Sequence, residues 1–242
     1  MFIPSIHRPA LGNKFYITKQ NGGFSPCIHI ARGFPEQDVL PNCVGYATGR
    51  FNEIGNAEKM PYLGNTNAEN FAILANSQGL EIVDRPTIGG CIVWARGVVG
   101  NGADGAGHVC IVEQVNPDGS ILTTESEYSG QAFRVRVRSG ANYSQPAVYR
   151  FIGCIKNPFA LPEEKTPTVT LKRGSKGAGV KWLQKMLVAY GHGADLGAAG
   201  VDGVFGGCTE RALQKFQVRW CLVPDGVCGR ITKQKMLDGF GV

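Results

Sequence analysis

An α+β domain followed by a small three-helix module is the architecture predicted for this 242-residue chain, on three observations. Apolar residues recur at helical spacing before residue 80. Short alternating β segments follow from residue 88, separated by turn signals. A proline-rich stretch then precedes a second run of helical spacing. Helices first and an antiparallel meander after them make an α+β arrangement.

In chain order, Cys43 to about Glu58 places Val44, Ala47, Phe51 and Ile54 near one helical face, and Asn42 is a favourable N-cap. NAENFAILANSQG (67–79) predicts a second helix closed by Gly79. CIVWARG, HVCIVEQV, SILTTESE, AFRVRVR and AVYRFIGCI predict strands, with NPDG at 116–119 as one of the turns between them. Alternation in AFRVRVR puts Arg134, Arg136 and Arg138 on one face and Val135 and Val137 on the other. A solvated arginine face is the first expectation there, and a contribution to substrate binding the second.

KNPFALPEEKTPTVT (156–170) reads as a linker, which divides the chain into 1–156, 157–169 and 170–242. Beyond it, Val180, Leu183 and Leu187 have helical spacing, as do Leu213, Phe216 and Trp220. DGVFGGCT (202–209) and DGVCGRIT (225–232) repeat Asp-Gly-Val-x-Gly-x-x-Thr at an offset of 23. Each unit joins an Asp-Gly turn, a second glycine and a threonine able to cap the next helix, in a three-helix module large enough to fold alone.

The 34 Gly and 13 Pro call for many turns, within a composition otherwise ordinary for a soluble protein. No stretch approaches the roughly 18 apolar residues of a membrane span. The start, MFIPSIHRPALGNKF, lacks a basic segment leading into an apolar run, so synthesis in the cytosol without a signal peptide is expected. With no export signal, the eight cysteines are expected to be free thiols, several of them packed as small hydrophobes in runs such as GGCIVW and HVCIV. Residues 1–150 hold 12 Lys+Arg and 12 Asp+Glu; residues 151–242 hold 13 and 7. The +6 excess therefore lies at the C-terminal end, which suits an acidic polymer as partner and suits plain solubility equally.

Four histidines narrow the search for chemistry. His7 is near a terminus and His192 sits in the Gly-rich YGHGADLG loop; His29 is two residues from Cys27, a weak zinc signal without a second ligand pair. His108 opens a strand after a glycine-rich loop, where catalytic side chains tend to sit. A cysteine with an ordinary pKa near ~8.5 is mostly protonated at neutral pH, and attacks only as thiolate. A helix N-terminus, an imidazolium and a polar group that orients the imidazole correct this. Cys43 has the helix start, His108 supplies the imidazole, and LTTESEY on the following strand offers Glu125 and Glu127 as orienters on one face. Spacing does not choose between them, and a packed structural cysteine remains an alternative for Cys43.

Four motifs in order, NCVGYATGR, RPTIGGCIVWARG, GHVCIVEQVNPDGSILTTESEY and FIGCIKNP, resemble the CHAP family over roughly residues 20–157. These are cysteine-dependent amidohydrolases and peptidases of papain-like fold that cut the peptide part of peptidoglycan. The resemblance implies Cys43 as nucleophile, His108 as general base and Glu125 as the residue orienting it. Glu127, at a position often Asn in relatives, is the alternative third member. Asn42 stands where relatives often carry Gln, and its amide can donate to an oxyanion beside the Cys43 backbone N–H. Gln37, six positions upstream as in papain-like proteases, is a second oxyanion candidate. Some relatives bind calcium through aspartates before the cysteine. Only Glu36 and Asp38 are present here, short of the roughly six to eight oxygens calcium prefers, so no metal and no cofactor is expected.

The segment from LKRGSKGAGVKWLQKML through VDGVFGGCTERALQKFQ to PDGVCGRIT resembles the peptidoglycan-binding domain 1 family, a three-helix wall-targeting module, over about residues 170–237. Its repeated Asp and Gly read as turn structure more than ligand contacts. Together the resemblances imply an endolysin-like peptidoglycan hydrolase, made in a host bacterial cytoplasm and acting on the wall after release. It would cut an amide in the stem peptide, the cross-bridge or the muramoyl-L-alanine link. The expected partner is bacterial cell-wall peptidoglycan, with no nucleic acid, no membrane insertion and a monomeric state. The alternatives are a bacterial autolysin of the same chemistry, a non-catalytic wall-binding protein, and a zinc amidase built on His29, Cys27 and His108. The last is disfavoured by the lack of HExxH or paired CxxC.

Overall fold

A computed structural model describes residues 2–28, 30, 37–55, 63–100, 106–128, 131–162 and 164–242. The alternating segments pair as one antiparallel sheet of β1 (Ile82–Val83), β2 (Cys91–Ala95), β3 (His108–Val115), β4 (Ile121–Glu127), β5 (Gln131–Arg138) and β6 (Arg150–Ile155). Its order is β1-β6-β2-β3-β4-β5. Strands β2 to β5 form the meander that their alternation predicts, and β6 returns to pair with β2. Strand β1, too short to display a period, extends the edge beside β6.

Helix α1 (Cys43–Ile54) begins at Asn42, whose side-chain oxygen accepts from the Val44 N–H at 2.9 Å. The predicted stripe Val44, Ala47, Phe51 and Ile54 is buried, but so are Thr48, Arg50 and Asn52. The helix is enclosed because the sheet covers one side while the N-terminal segment crosses the other. A Cβ on Gly49 would come within 2.5 Å of the Tyr16 ring, and one on Gly45 within 2.1 Å of the Val39 carbonyl. The second predicted helix is a 3-10 turn, Ala68–Asn70, running into α2 (Phe71–Ser77).

Both faces of the sheet are covered. Val93, Val109 and Ile111 pack in the core that contains α1. Trp94, Cys110, Val112 and Ile121 face the other way, beneath Tyr143, Tyr149 and Phe151. Strand β2, central in the sheet, is accordingly buried at every position. Strand β5 reverses the first expectation for its arginines. Val137 is 68% exposed, whereas Arg138 is 2% exposed. Carboxylates on β4 draw Arg138 fully inward, while the Arg134 and Arg136 side chains stay 34% and 40% exposed.

The C-terminal module contains α3 (Ala178–Leu187), α4 (Gly207–Arg219) and α5 (Arg230–Asp238), with Val180, Leu183, Leu187, Leu213 and Phe216 in its core. Its two repeated turns are locked alike. Asp202 Oδ1 accepts from the Val204 N–H and from Gln184 Nε2, and Gln184 Oε1 accepts from the Gly203 N–H, all at 2.8 Å. Asp225, Val227, Gly226 and Gln217 repeat the pattern at 2.8–3.0 Å. The threonines do not cap the following helices, contrary to expectation. Gly206 and Gly229 hold the N-cap positions, and Thr209 and Thr232 lie one turn in, donating back to the Val204 and Val227 carbonyls.

The connecting segment is tied at both ends, by Asn157 Nδ2 to the Phe51 carbonyl and by Lys233 Nζ to the carbonyls of 167–169. All eight cysteines are free thiols. Among the described residues, no helix is long and apolar enough to cross a membrane.

Candidate active site

Gly107 delivers His108 into the sheet. Its φ of +63° is left-handed, and a Cβ there would meet the Trp94 carbonyl at 2.4 Å and the Glu69 backbone nitrogen at 2.7 Å. Only glycine fits that approach. His108 is the first residue of β3 and the cross-strand partner of Trp94, whose indole stacks on the imidazole at 6.0 Å between ring centroids. Cys43 is the first residue of α1, and its thiol is among the groups that act on the His108 ring. The other side of the ring is held by Glu125, with Nε2 to Oε2 at 2.5 Å. Three residues distant in sequence thus form one chain, sulfur to imidazole to carboxylate.

The electrostatics favour charge on this chain. Burial disfavours an imidazolium, yet hydrogen bonds to Cys43 and Glu125 and the charges on both raise His108 from 6.5 to about 9. Burial likewise pushes the Glu125 carboxyl upward, and His108 and Arg138 outweigh it, leaving Glu125 below the ordinary carboxylate value. At neutral pH the imidazole is therefore on the protonated side of its titration, with the Cys43 sulfur and the Glu125 carboxyl beside it. In Cys91, Cys110 and Cys154 burial pushes the thiol up, and each stays neutral.

Glu127 is on the same face but is used otherwise. Its Oε1 accepts from Arg134 Nη1 at 3.0 Å and Arg136 Nη2 at 3.1 Å. A register shift between Glu125 and Glu127 separates their surroundings. Around Glu125, Arg138 Nη2 donates to both carboxylate oxygens at 2.8 and 2.7 Å, and Arg136 Nε lies 2.5 Å from Oε1. The Arg136 contact is ionic, since its geometry does not make a hydrogen bond there. Arg138 and Trp94 are the contributors to this site that sequence reasoning did not single out. The available signal was two glutamates at alternate positions on one strand beside three arginines at alternate positions on the next.

The oxyanion candidates have other partners. Asn42 Oδ1 caps α1, and Gln37 Nε2 donates to the Ala10 carbonyl while its buried Oε1 has no hydrogen-bond partner. Asp38, raised as an oxygen ligand, accepts from the Thr18 N–H, Thr18 Oγ1 and Asn21 Nδ2 through one oxygen and so ties down the turn at 18–21. His29 and Glu36 lie outside the described residues, and Cys27 is buried. Among the described residues, no group of three or more His, Cys, Asp or Glu is placed to hold a metal.

Cys43, His108 and Glu125 thus meet, buried, at the junction of a helix start and an antiparallel sheet. Among known protein families, residues 35–127 match the CHAP domain and residues 176–236 match the "Putative peptidoglycan binding domain". The chain thus carries a CHAP domain followed by a helical domain of peptidoglycan-binding type. It is 41% identical over 68 residues to a zinc D-Ala-D-Ala carboxypeptidase of Streptomyces albus G, covering 28% of this chain and 26% of that protein. A probable autolysin of Staphylococcus aureus is 32% identical over 111 residues, covering 46% and 35%. An N-acetylmuramoyl-L-alanine amidase of Bacillus licheniformis is 40% identical over 81 residues, covering 33% and 21%. The chain spans at most 35% of the length of these curated relatives.

Proposed function

We propose that this protein is a peptidoglycan hydrolase that cuts an amide bond by cysteine nucleophilic catalysis. Residues 1–156 would be the catalytic domain, 157–169 the connection and 170–242 the wall-binding domain. The observation that carries this reading is the His108 ring held between the Cys43 thiol and, at 2.5 Å, the Glu125 carboxylate. His108 holds the proton given up by Cys43 as a resting ion pair, and the thiolate attacks the carbonyl carbon of the scissile amide. The resulting oxyanion is met by the Cys43 backbone N–H at the start of α1, with Asn42 as side-chain donor; Gln37, its amide nitrogen bound to the Ala10 carbonyl, is the weaker candidate. The imidazolium protonates the leaving amine as the C–N bond breaks, giving a thioester and a neutral imidazole. Water, deprotonated by that imidazole, attacks the thioester and releases the acid and the thiolate. Glu125 orients the ring throughout.

Two named relatives favour the wall as substrate, one a probable autolysin and the other an N-acetylmuramoyl-L-alanine amidase. The amidase's name points to the muramoyl-L-alanine link and the carboxypeptidase's to a D-Ala-D-Ala peptide bond, so both are candidate bonds here. The helical domain would hold the enzyme on the anionic wall and raise its local concentration there. A phage endolysin and a bacterial autolysin share this chemistry.

Lysis of purified cell walls by Cys43→Ala and Cys43→Ser tests the mechanism: loss of lysis in a folded variant is expected, and persistent lysis rejects it. Mass spectrometry of digested walls identifies the bond. A free lactyl carboxylate means an amidase; a new peptide amine with the sugar link intact means an endopeptidase.

A further inference from the structure

Beyond Glu125 the chain of contacts continues inward. Arg138 is 2% exposed and lies along β4 from its cross-strand partner Ile121, with Nε donating to Thr123 Oγ1 at 3.1 Å. Its Nη2 reaches both oxygens of Glu125, and its Nη1 donates to the Tyr143 carbonyl at 3.0 Å. The guanidinium carbon lies 5.0 Å from the centroid of the Trp94 ring, the ring that also stacks on His108. Tyr143 and Ser144 hold the left-handed backbone conformation, with φ of 47° and 58°, a costly state for non-glycine residues that tends to persist where surrounding contacts impose it. The neighbouring Asn142 carbonyl accepts from the Trp94 indole N–H at 3.3 Å. The 142–143 turn therefore presents one carbonyl to Trp94 and the next to Arg138.

We propose that Arg138 is the positioning residue of this active site: clamped between the Tyr143 carbonyl and the Trp94 ring, it fixes the Glu125 carboxylate so that Oε2 stays on His108. The inference rests on the cysteine-hydrolase reading above and adds a fourth member to it. The planar fork is essential to the role. A guanidinium can serve Thr123, Tyr143 and Glu125 at once, whereas an ammonium is a point charge. Arg136 does not substitute, because it is 40% exposed and its Nη2 is committed to Glu127. Cys110, whose thiol Glu125 influences through space, completes the ionisable surroundings together with Cys43, His108, Arg136 and Glu127.

The test uses Arg138→Lys in the full chain, which keeps the positive charge and removes the fork. The readout is the rate of iodoacetamide alkylation at Cys43 against pH, followed by mass spectrometry of the Cys43 peptide so that the accessible Cys208 and Cys221 do not interfere. A displaced carboxylate stabilises the imidazolium less, so the thiolate–imidazolium pair survives over a narrower pH range. The expected result is a fall of about tenfold in the neutral-pH rate, of the order of one charge-assisted hydrogen bond, with the rising limb of the profile moved to higher pH. Glu127→Gln, measured alongside, should leave the profile in place. Thermal melting confirms that the Lys variant is folded; Arg138→Gln in a Glu125→Gln background serves if it is not. In that pair wild-type reactivity should not return, and its return would count against the proposal. An unchanged profile in folded Arg138→Lys, with wild-type Cys43 reactive, overturns the role of Arg138 alone. Wild-type Cys43 no more reactive at pH 7 than Cys221 overturns the enzymatic reading and this inference with it.

Discussion

Two buried carboxylates flank the same sheet and do opposite work. Glu113, on the α1 side, receives Arg50 Nε at 2.8 Å, Arg50 Nη2 at 3.0 Å, Thr124 Oγ1 at 2.9 Å and the Ser5 N–H at 2.8 Å. Every partner is a fixed donor, and Arg50 itself is bound further by Glu53 and the Ile3 carbonyl. Glu125, on the other face, is also gripped by an arginine, but one of its partners is a ring that gains and loses a proton and touches a thiol. The pleat of β4 serves both, since Thr124 turns to Glu113 and Glu125 turns to His108. A closed network can only stabilise the fold, whereas a network with one titratable end is the one to which the proposed chemistry is assigned. The difference lies in what the carboxylate touches, for the two are equally buried.

The largest expected effect breaks the closed network. Glu113→Ala strands a buried arginine and should cost about 3–5 kcal/mol in urea denaturation, a large part of a typical domain's stability. Replacing Arg50 and Glu113 together with Met and Leu should recover most of that loss, and failure to recover would show that shape at this site matters more than charge. The open network should respond in activity. Glu125→Gln is expected to slow wall lysis about hundredfold with a smaller loss of stability than Glu113→Ala, while Glu127→Gln stays within about threefold. A larger loss at Glu127 would reverse the assignment of the orienting residue.

The smallest effect is a titration. His108 should titrate near 9 by nuclear magnetic resonance, and lower in Cys43→Ser, because the sulfur is one of the groups raising it. Its folded value lies above the ordinary 6.5, so the stability it contributes is complete below that pH and lost as pH rises through about 9. Lysis should fall over the same upper range as the imidazolium loses the proton needed by the leaving amine. A His108 that titrates near 6.5 would remove the ion pair from the mechanism.

Much of this was legible in the sequence. The strand runs from 91 to 155, the N-cap at Asn42, the helix start at Cys43 and the strand start at His108 all follow from short-range pattern, and local backbone geometry obeys it. The choice between Glu125 and Glu127 was not legible, since both share a face and differ only in which long side chains reach them across β5. Arg138 was hidden for a related reason. Alternation groups 134, 136 and 138 together but does not say whether that group faces water or a buried carboxylate. The threonines of the repeated turns misled because a hydroxyl three residues after a glycine reads as a cap until the backbone shows the helix already begun.

The sequence by itself determined which residues share a strand face or open a helix, because a period of two or 3.6 residues is a property of the local chain. Tertiary structure alone decided that His108 meets Glu125 seventeen residues away, that Arg138 turns inward and that Trp94 braces both. Those contacts depend on sheet register and on what covers each face, and neither is encoded in the spacing of any one segment.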